Sequence, residues 1–234
     1  MLSSCVPILR STCSRSSLRV AKTVRAQMTS MDALLVADPG IRVIHVLSDP
    51  RQVVSSRLNP YVVSVIGQYT LDAVLSRKSL EAARREAEIY CRTAVNDIRV
   101  RSSLEAKYPG RILALRNEDV IADPRRHANL VYRFLGFDGT PKETRVWMDQ
   151  NNAAAAGGLS PLEKATKRLA PAHISVIVDT CSEYYRLTGT RSTQSRRNQD
   201  VVIPLRRQRM NGFVRSNLHH HHHHHHLFVH KNAA

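Results

Sequence analysis

The sequence predicts an α/β protein in which helices flank a parallel sheet. Two short apolar runs of strand length, residues 41–47 and 111–116, alternate with longer segments of helical spacing. The segment between the two runs is long enough for crossover helices, which join parallel strands. With 234 residues, of which 42% are hydrophobic, the chain is long enough for one domain with a buried core.

The elements follow from apolar spacing and from the positions of Pro and Gly. Residues 18–35 carry apolar side chains at nearly helical spacing, and Asp38-Pro39-Gly40 ends that segment. Residues 117–124 are expected to form a loop, and residues 60–78 are ambiguous. The other segments with helical spacing and recognisable caps or stops are 50–58, 80–107, 124–135, 142–150, a segment that begins at Pro161, and 171–187.

The formal net charge of +16 is concentrated at the two ends of the chain. Residues 1–31 hold five basic side chains and no acidic one, and residues 191–234 hold eight basic side chains and one acidic one. The middle has an ordinary balance, so the excess is typical of solvated tails and argues only weakly for an anionic partner. The tail beyond Thr190 is expected to be disordered, and its run of histidines, residues 219–226, is low-complexity.

Several classes of protein are disfavoured by composition. No run of 18 apolar residues is present, so no membrane-spanning segment is expected within the chain. The four cysteines form no close pair of the kind that binds zinc, and we predict no metal site. Aromatic and basic residues do not alternate as they do in single-strand binders, which argues against nucleic acid. The Arg- and Ser-rich first 31 residues keep a mitochondrial presequence open as an alternative.

Hydroxyl and guanidinium groups follow the first predicted strand. Ser48 lies at the turn, Asp49 can cap the next helix, and Arg51, Ser55 and Ser56 lie on that helix. A helix N-terminus at the carboxyl end of a parallel strand is a favourable position for a phosphate group. The alternative is that Asp49 is only a cap and that the arginines are surface residues.

The stretch from Ser48 to Arg57 resembles the 3′-phosphate-binding motif of carbohydrate sulfotransferases. That motif reads Arg-Asp-Pro-Arg-Ala-Val, two further residues and Ser-Arg, so that Ser48 stands at its first Arg and Ser56 at its Ser. The resemblance runs in order over residues 13–189. The other segments that carry it are residues 18–25, 116–124, 132–136 and 167–181.

The resemblance implies a nucleotide-kinase-like parallel sheet and the donor 3′-phosphoadenosine-5′-phosphosulfate. It implies transfer of the sulfuryl group to a hydroxyl of a glycan or glycosaminoglycan acceptor in the Golgi lumen. It places Ser56 and position 48 at the 3′-phosphate of the donor. Because Ser48 replaces a cation, donor binding should be weaker by roughly 10- to 100-fold, the value of a charge-assisted hydrogen bond. Arg51 is the nearest side chain that could compensate.

Other departures leave enzyme activity open. No Gly precedes Gly40, so we expect the phosphosulfate loop to be missing and the domain to be truncated. Asn117 stands where the family has a Tyr, and no catalytic base can be named. We expect His45 to be a core histidine, and Glu118 and Asp119 to cap or pair. A non-enzymatic polyanion-binding protein is the remaining alternative.

These observations divide the chain into three parts. Residues 1–12 are expected to be a leader remnant, residues 13–190 the truncated sulfotransferase-like domain, and residues 191–234 the disordered tail.

Cys91 and Cys181 both lie among apolar residues at helical spacing, so both sulfurs are expected on the core side. They form either two separate buried thiols or a disulfide between the long middle helix and the last one. The disulfide requires an oxidising compartment, which the resemblance to Golgi enzymes implies.

Overall fold

The computed structural model describes residues 18–24, 26–58, 79–151, 158–190 and 225–231. The four strands are β1 (Leu18–Thr23), β2 (Ile41–Leu47), β3 (Ile112–Arg116) and β4 (His225–Lys231). A short 3-10 helix spans Met28–Ser30. The α-helices are α1 (Met31–Ala37), α2 (Pro50–Arg57), α3 (Leu80–Lys107), α4 (Asn117–Ala122), α5 (Pro124–Phe134), α6 (Lys142–Asn151), α7 (Pro161–Arg168), α8 (Pro171–Thr180) and α9 (Ser182–Thr188).

The four strands form one sheet in the order β1-β4-β2-β3. The two strands predicted from sequence, β2 and β3, pair in parallel from Val43 opposite Ile112 to Leu47 opposite Arg116. The long helix α3 lies between them in the chain and supplies the crossover that parallel pairing requires. The predicted α/β class is therefore confirmed.

Strand β4 comes from the tail, which the sequence assigned to disorder. It pairs antiparallel with β1 on one side and with β2 on the other, so it occupies an interior position in the sheet. The leader remnant at residues 1–12 and the ambiguous residues 60–78 lie outside the described residues, as does the tail apart from β4.

Three expectations for secondary structure were wrong. Residues 18–23 form a strand rather than part of a helix, since Leu18 and Val20 are partly buried and the Arg19 between them is exposed. The expected loop after β3 begins with the short helix α4. The last predicted helix is divided into α8 and α9 by Cys181, whose backbone leaves the helical conformation.

Helix α2 begins and ends where the sequence predicts. Asp49 caps it by accepting a hydrogen bond from the amide of Arg51, and Pro50 occupies its first turn. The predicted capping box is also present, with Ser160 and Glu163 bonded reciprocally at the start of α7.

The buried core around the carboxyl end of β2 joins α2, α3, α8 and α9. It includes the Cys91–Cys181 disulfide, whose Cα atoms are 5.5 Å apart. The pairing that the sequence left open is thus confirmed. A second core packs β3 against α5, and a third lies at the opposite end of the sheet around Met28, Met31 and Leu104. Within the described parts of the chain, no helix has the length and apolar character needed to cross a membrane.

Candidate functional site

The candidate site is the turn Ser48–Asp49, which joins the carboxyl end of β2 to helix α2. Both residues are almost completely buried, with exposures of 3% and 1%. The turn lies at the edge of the sheet where the parallel strands β2 and β3 both end. This edge is where open α/β sheets bind their ligands, and it is where the sequence predicts the phosphate-binding residues.

Arg51, predicted to contact the donor phosphate, forms a buried ion pair with Asp49. Its Nε lies 2.9 Å from Oδ1 and its Nη2 lies 2.7 Å from Oδ2, which is a bidentate arrangement. The Arg51 Cζ atom lies over the Tyr185 ring, 5.7 Å from the ring centroid, and the Tyr185 hydroxyl donates to Asp49 Oδ1. Burial lowers the pKa of Arg51, but the hydrogen bonds and charge of Asp49 outweigh this and raise it. The predicted ligand cation is therefore already held by a neighbouring carboxylate.

Ser48 is held through its backbone. Its carbonyl oxygen accepts hydrogen bonds from the hydroxyls of Tyr90, at 2.5 Å, and Tyr184, at 2.9 Å. Its amide donates to Tyr90 Oη at 3.3 Å. Burial raises the pKa of both tyrosines, so both stay protonated and can donate.

Glu118 supports the turn from β3. It lies just after the carboxyl end of β3, and its Oε1 accepts a hydrogen bond from the Asp49 amide at 2.8 Å. Burial is the main cause that raises the pKa of Glu118 to about 7, and the nearby Asp49 charge adds to the effect. Arg116 lies 4.0 Å from Glu118 and 3.7 Å from Asp119, so both acids are paired, as one reading of the sequence expected.

The amides at the start of α2 donate within the protein. The amide of Arg51 donates to the Asp49 side chain, and those of Gln52 and Val53 donate to the Asp49 carbonyl oxygen. A phosphate at this turn would thus depend on hydroxyl groups more than on backbone amides in this conformation. This differs from the expectation that the helix N-terminus itself supplies the donors.

The two serines of α2 have different environments. Ser55 is buried, and its hydroxyl donates to the carbonyl oxygen of Ala165 on α7. Ser56, the predicted 3′-phosphate ligand, is half-buried and lies outside the core. It is therefore more accessible to a ligand than Ser55 is. Next to it, Arg57 pairs with Glu86 on α3 at 3.1 Å.

Two other positions of interest lie close to the turn. Asn117, which stands where the family has a Tyr, donates from Nδ2 to Gln52 Oε1 at 3.4 Å and so connects α4 to α2. His45 is fully buried within β2, in agreement with the expectation of a core histidine.

The tyrosines were the part of the site that sequence reasoning missed. Tyr184 and Tyr185 were recognisable only as apolar neighbours of Cys181, and Tyr90 precedes Cys91 in the chain. Tyr90 and Tyr184 meet at Ser48, and Tyr185 reaches Asp49, only through packing between α3, α9 and the end of β2, which are far apart in sequence.

Comparison with known proteins tests the resemblance that the motifs indicated. The chain is 31% identical over 160 residues to human carbohydrate sulfotransferase 3, an alignment that covers 65% of this chain and 32% of that protein. The chain is similar to carbohydrate sulfotransferases. Mouse carbohydrate sulfotransferase 4 is 26% identical over 208 residues, with 80% of this chain and 52% of that protein covered. Rat carbohydrate sulfotransferase 3 is 29% identical over 157 residues, with 64% and 32% covered.

The predicted resemblance is thus confirmed for a part of the sulfotransferase chain. This protein spans about a third to a half of the length of the sulfotransferases named above. No protein-family model and no solved structure matches the chain.

Proposed function

We propose that the turn Ser48–Asp49 and helix α2 form the part of a sulfotransferase donor site that binds the 3′-phosphate of 3′-phosphoadenosine-5′-phosphosulfate. The observation that carries this proposal is the place of the motif. The segment that resembles the 3′-phosphate motif follows a buried parallel strand directly and lies at the carboxyl edge of the sheet. In this role Ser56 is the hydroxyl ligand, and the reaction is transfer of a sulfuryl group to a hydroxyl of a glycan or glycosaminoglycan.

Donor binding by this chain should be weak. Ser48 supplies no charge at the position where the family motif has an Arg, and Arg51 is engaged by Asp49. The first amides of α2 also donate to Asp49 rather than outward. We therefore propose that affinity for the donor, and with it any sulfuryl transfer, is roughly 10- to 100-fold below that of a site with the Arg present.

The disulfide indicates that this function belongs in an oxidising compartment. Cys91 and Cys181 are 3% and 1% exposed, and their bridge lies within the core that carries the candidate site. Structural disulfides form in oxidising compartments, so the bridge favours the Golgi lumen over the mitochondrial matrix. The charged ends that motivated the polyanion-binding alternative lie mostly outside the described residues.

Isothermal titration calorimetry with adenosine 3′,5′-bisphosphate on the oxidised full-length chain tests the proposal. Ser48→Arg should bind roughly 10- to 100-fold more tightly than the wild type. Adding Ser56→Ala to that variant should remove a part of the gain, because it deletes the hydroxyl ligand. The matched control is Ser102→Arg, which adds the same charge at an exposed position of α3.

The outcomes separate a specific site from general charge. Equal affinities of the Ser48→Arg and Ser102→Arg variants would contradict a 3′-phosphate site at the turn. Absence of binding by a folded Ser48→Arg variant, with folding checked by circular dichroism, would contradict it as well. The Ser56→Ala substitution in the wild-type background gives an independent test that leaves position 48 unchanged.

A further inference from the structure

We propose that the Cys91–Cys181 disulfide positions the turn of the candidate site, acting through Tyr90 and Tyr184. Its consequence for ligand binding rests on the proposed function, whereas its effect on the turn does not. Cys91 directly follows Tyr90 on α3, and Cys181 lies three residues before Tyr184 at the junction of α8 and α9. Each half of the bridge is therefore within one helical turn of a tyrosine that contacts the turn.

The two tyrosines meet at one atom. Both hydroxyls donate to the Ser48 carbonyl oxygen, at 2.5 Å and 2.9 Å, and the ring centroids are 6.0 Å apart. A carbonyl oxygen has two lone pairs, and here each is matched by one hydroxyl. The orientation of the peptide group between Ser48 and Asp49 is thereby determined from two different helices.

The orientation of this peptide group affects both Asp49 and the start of α2. Its nitrogen is the Asp49 amide, which donates to Glu118, and the Asp49 side chain caps α2 and holds Arg51. A rotation of the peptide group would therefore disturb the Glu118 hydrogen bond and the first turn of α2 together. The tyrosines contact no ligand in this scheme, and they act by fixing the backbone to which the predicted ligand residues are attached.

The disulfide is placed where it limits the movement that would break this contact. The two helices that carry the tyrosines come from segments 90 residues apart in sequence, and a hydrogen bond weakens steeply beyond about 3.2 Å. A small displacement of one helix against the other would therefore separate one hydroxyl from Ser48. The covalent bridge joins the helices beside the two tyrosines and opposes such a displacement.

Amide hydrogen exchange followed by NMR on the oxidised full-length chain tests the proposal. The measured quantity is the exchange rate of the Asp49 amide relative to that of Ala94, a fully buried residue of α3. We expect this ratio to rise about tenfold in the Tyr90→Phe/Tyr184→Phe double variant, since two neutral hydrogen bonds are lost. A Cys91→Ala/Cys181→Ala variant should raise the same ratio with both hydroxyls still present.

The control is Tyr132→Phe, which removes a buried hydroxyl that contacts Thr144 in the second core. It should leave the Asp49 ratio unchanged. An unchanged ratio in the tyrosine double variant would overturn the proposal, even if its melting temperature falls. An unchanged ratio in a folded cysteine variant would also overturn it, because the bridge would then be only structural.

Two further arms keep the inference separate from the proposed function. If the cysteine variant does not fold, the tyrosine variant, which retains the bridge, still tests whether the tyrosines hold the turn. The role of the bridge is then tested on the wild-type chain after a dithiol has reduced the disulfide. In the Ser48→Arg background, loss of the two hydroxyls should weaken bisphosphate binding roughly three- to tenfold. A raised exchange ratio without any bisphosphate binding would uphold the positioning role and reject the donor site.

Discussion

The two ends of the β2–β3 pair are held by different kinds of interaction. At the carboxyl end, buried charged and hydroxyl groups surround the turn: the Asp49–Arg51 ion pair, Glu118 and the tyrosine hydroxyls. At the amino end, the Arg111 guanidinium donates to the backbone carbonyl oxygens of Leu35, Asp38 and Ile41. The apolar residues of the third core, which include Met28, Leu35 and Ile112, pack at this end of the sheet.

This difference supports the proposal that the carboxyl end has a role other than stability. A buried ion pair rarely stabilises a fold more than apolar residues of the same volume, and burial raises the pKa of Glu118 to about 7. The amino end also has a buried carboxylate, Asp97, which accepts a hydrogen bond from the Met28 amide. Another acid at this end, Asp32, pairs with Lys107 near the surface. What distinguishes the carboxyl edge, where the motif lies, is that both members of its ion pair, Asp49 and Arg51, are buried.

The largest expected effect is at Asp49. Asp49→Ala removes the carboxylate that holds the buried Arg51 guanidinium, and should lower the free energy of unfolding by about 3–5 kcal/mol. Urea denaturation monitored by circular dichroism measures this. Combining it with Arg51→Met should recover a part of the loss, since no charge then stays buried. A loss below about 1 kcal/mol for Asp49→Ala would show that the two ends do not differ in this way.

The next effect concerns pH and Glu118. The pKa of this carboxyl is about 7 in the folded protein and near 4.5 as an ordinary glutamate, so the folded state binds more protons between these pH values. Its contribution to stability is therefore complete below pH 4.5 and is lost as pH rises to 7, a difference of up to about 3 kcal/mol.

Glu118→Gln should remove that part of the pH dependence. Burial also raises the pKa of Asp97 and of Glu105, so both proteins will show some pH dependence from these groups. The informative quantity is therefore the difference in free energy of unfolding between the variant and the wild type, measured across this pH range. Parallel pH profiles of the two proteins would mean that the Glu118 carboxyl titrates normally.

A smaller effect is expected at the amino end. Arg111→Lys keeps the charge but loses the planar group that reaches three carbonyl oxygens, and should lower the free energy of unfolding by about 1–2 kcal/mol. Bisphosphate affinity in the Ser48→Arg background should stay unchanged. A change in that affinity would show that the amino end also shapes the candidate site.

The smallest effect is expected for the ion pair of Lys107 with Asp32. Both side chains are about half exposed, and water screens their interaction. Lys107→Ala should leave the urea midpoint within experimental error of the wild type, at low and at high salt. A clear loss of stability would place this pair among the structural contacts of the amino end.

Local sequence signals predicted the elements that local chemistry determines. Pro50 and Asp49 mark the start of α2, and the apolar run before them marks β2. The sequence predicts a helix at Leu18 and Val20 because the apolar residues that follow, as far as Leu35, have nearly helical spacing. Pairing with β4 and packing against the second core make this segment a strand instead. Strand β4 contains the short apolar run Leu227-Phe228-Val229, but this run follows the histidine tract in a tail whose composition predicts disorder.

The candidate site likewise combines residues that a local motif predicts with residues that only tertiary packing brings together. Ser48, Arg51 and Ser56 are predicted because they lie in one short motif at the end of a strand. The partner of Arg51 is only two residues away, yet the closed ion pair depends on burial by Tyr185 from α9. The tyrosines and Glu118 reach the turn from distant segments, and spacing along the chain does not reveal such contacts.

One measurement tests most directly whether the carboxyl end is the ligand-binding end. Adenosine 3′,5′-bisphosphate is titrated into the ¹⁵N-labelled Ser48→Arg chain, and amide chemical shifts are monitored by NMR. We predict chemical-shift changes concentrated at residues 48–57 and 116–118, with none at residues 32–41 or 107–112. Shifts confined to the amino end, or to the basic residues of the tail, would contradict it.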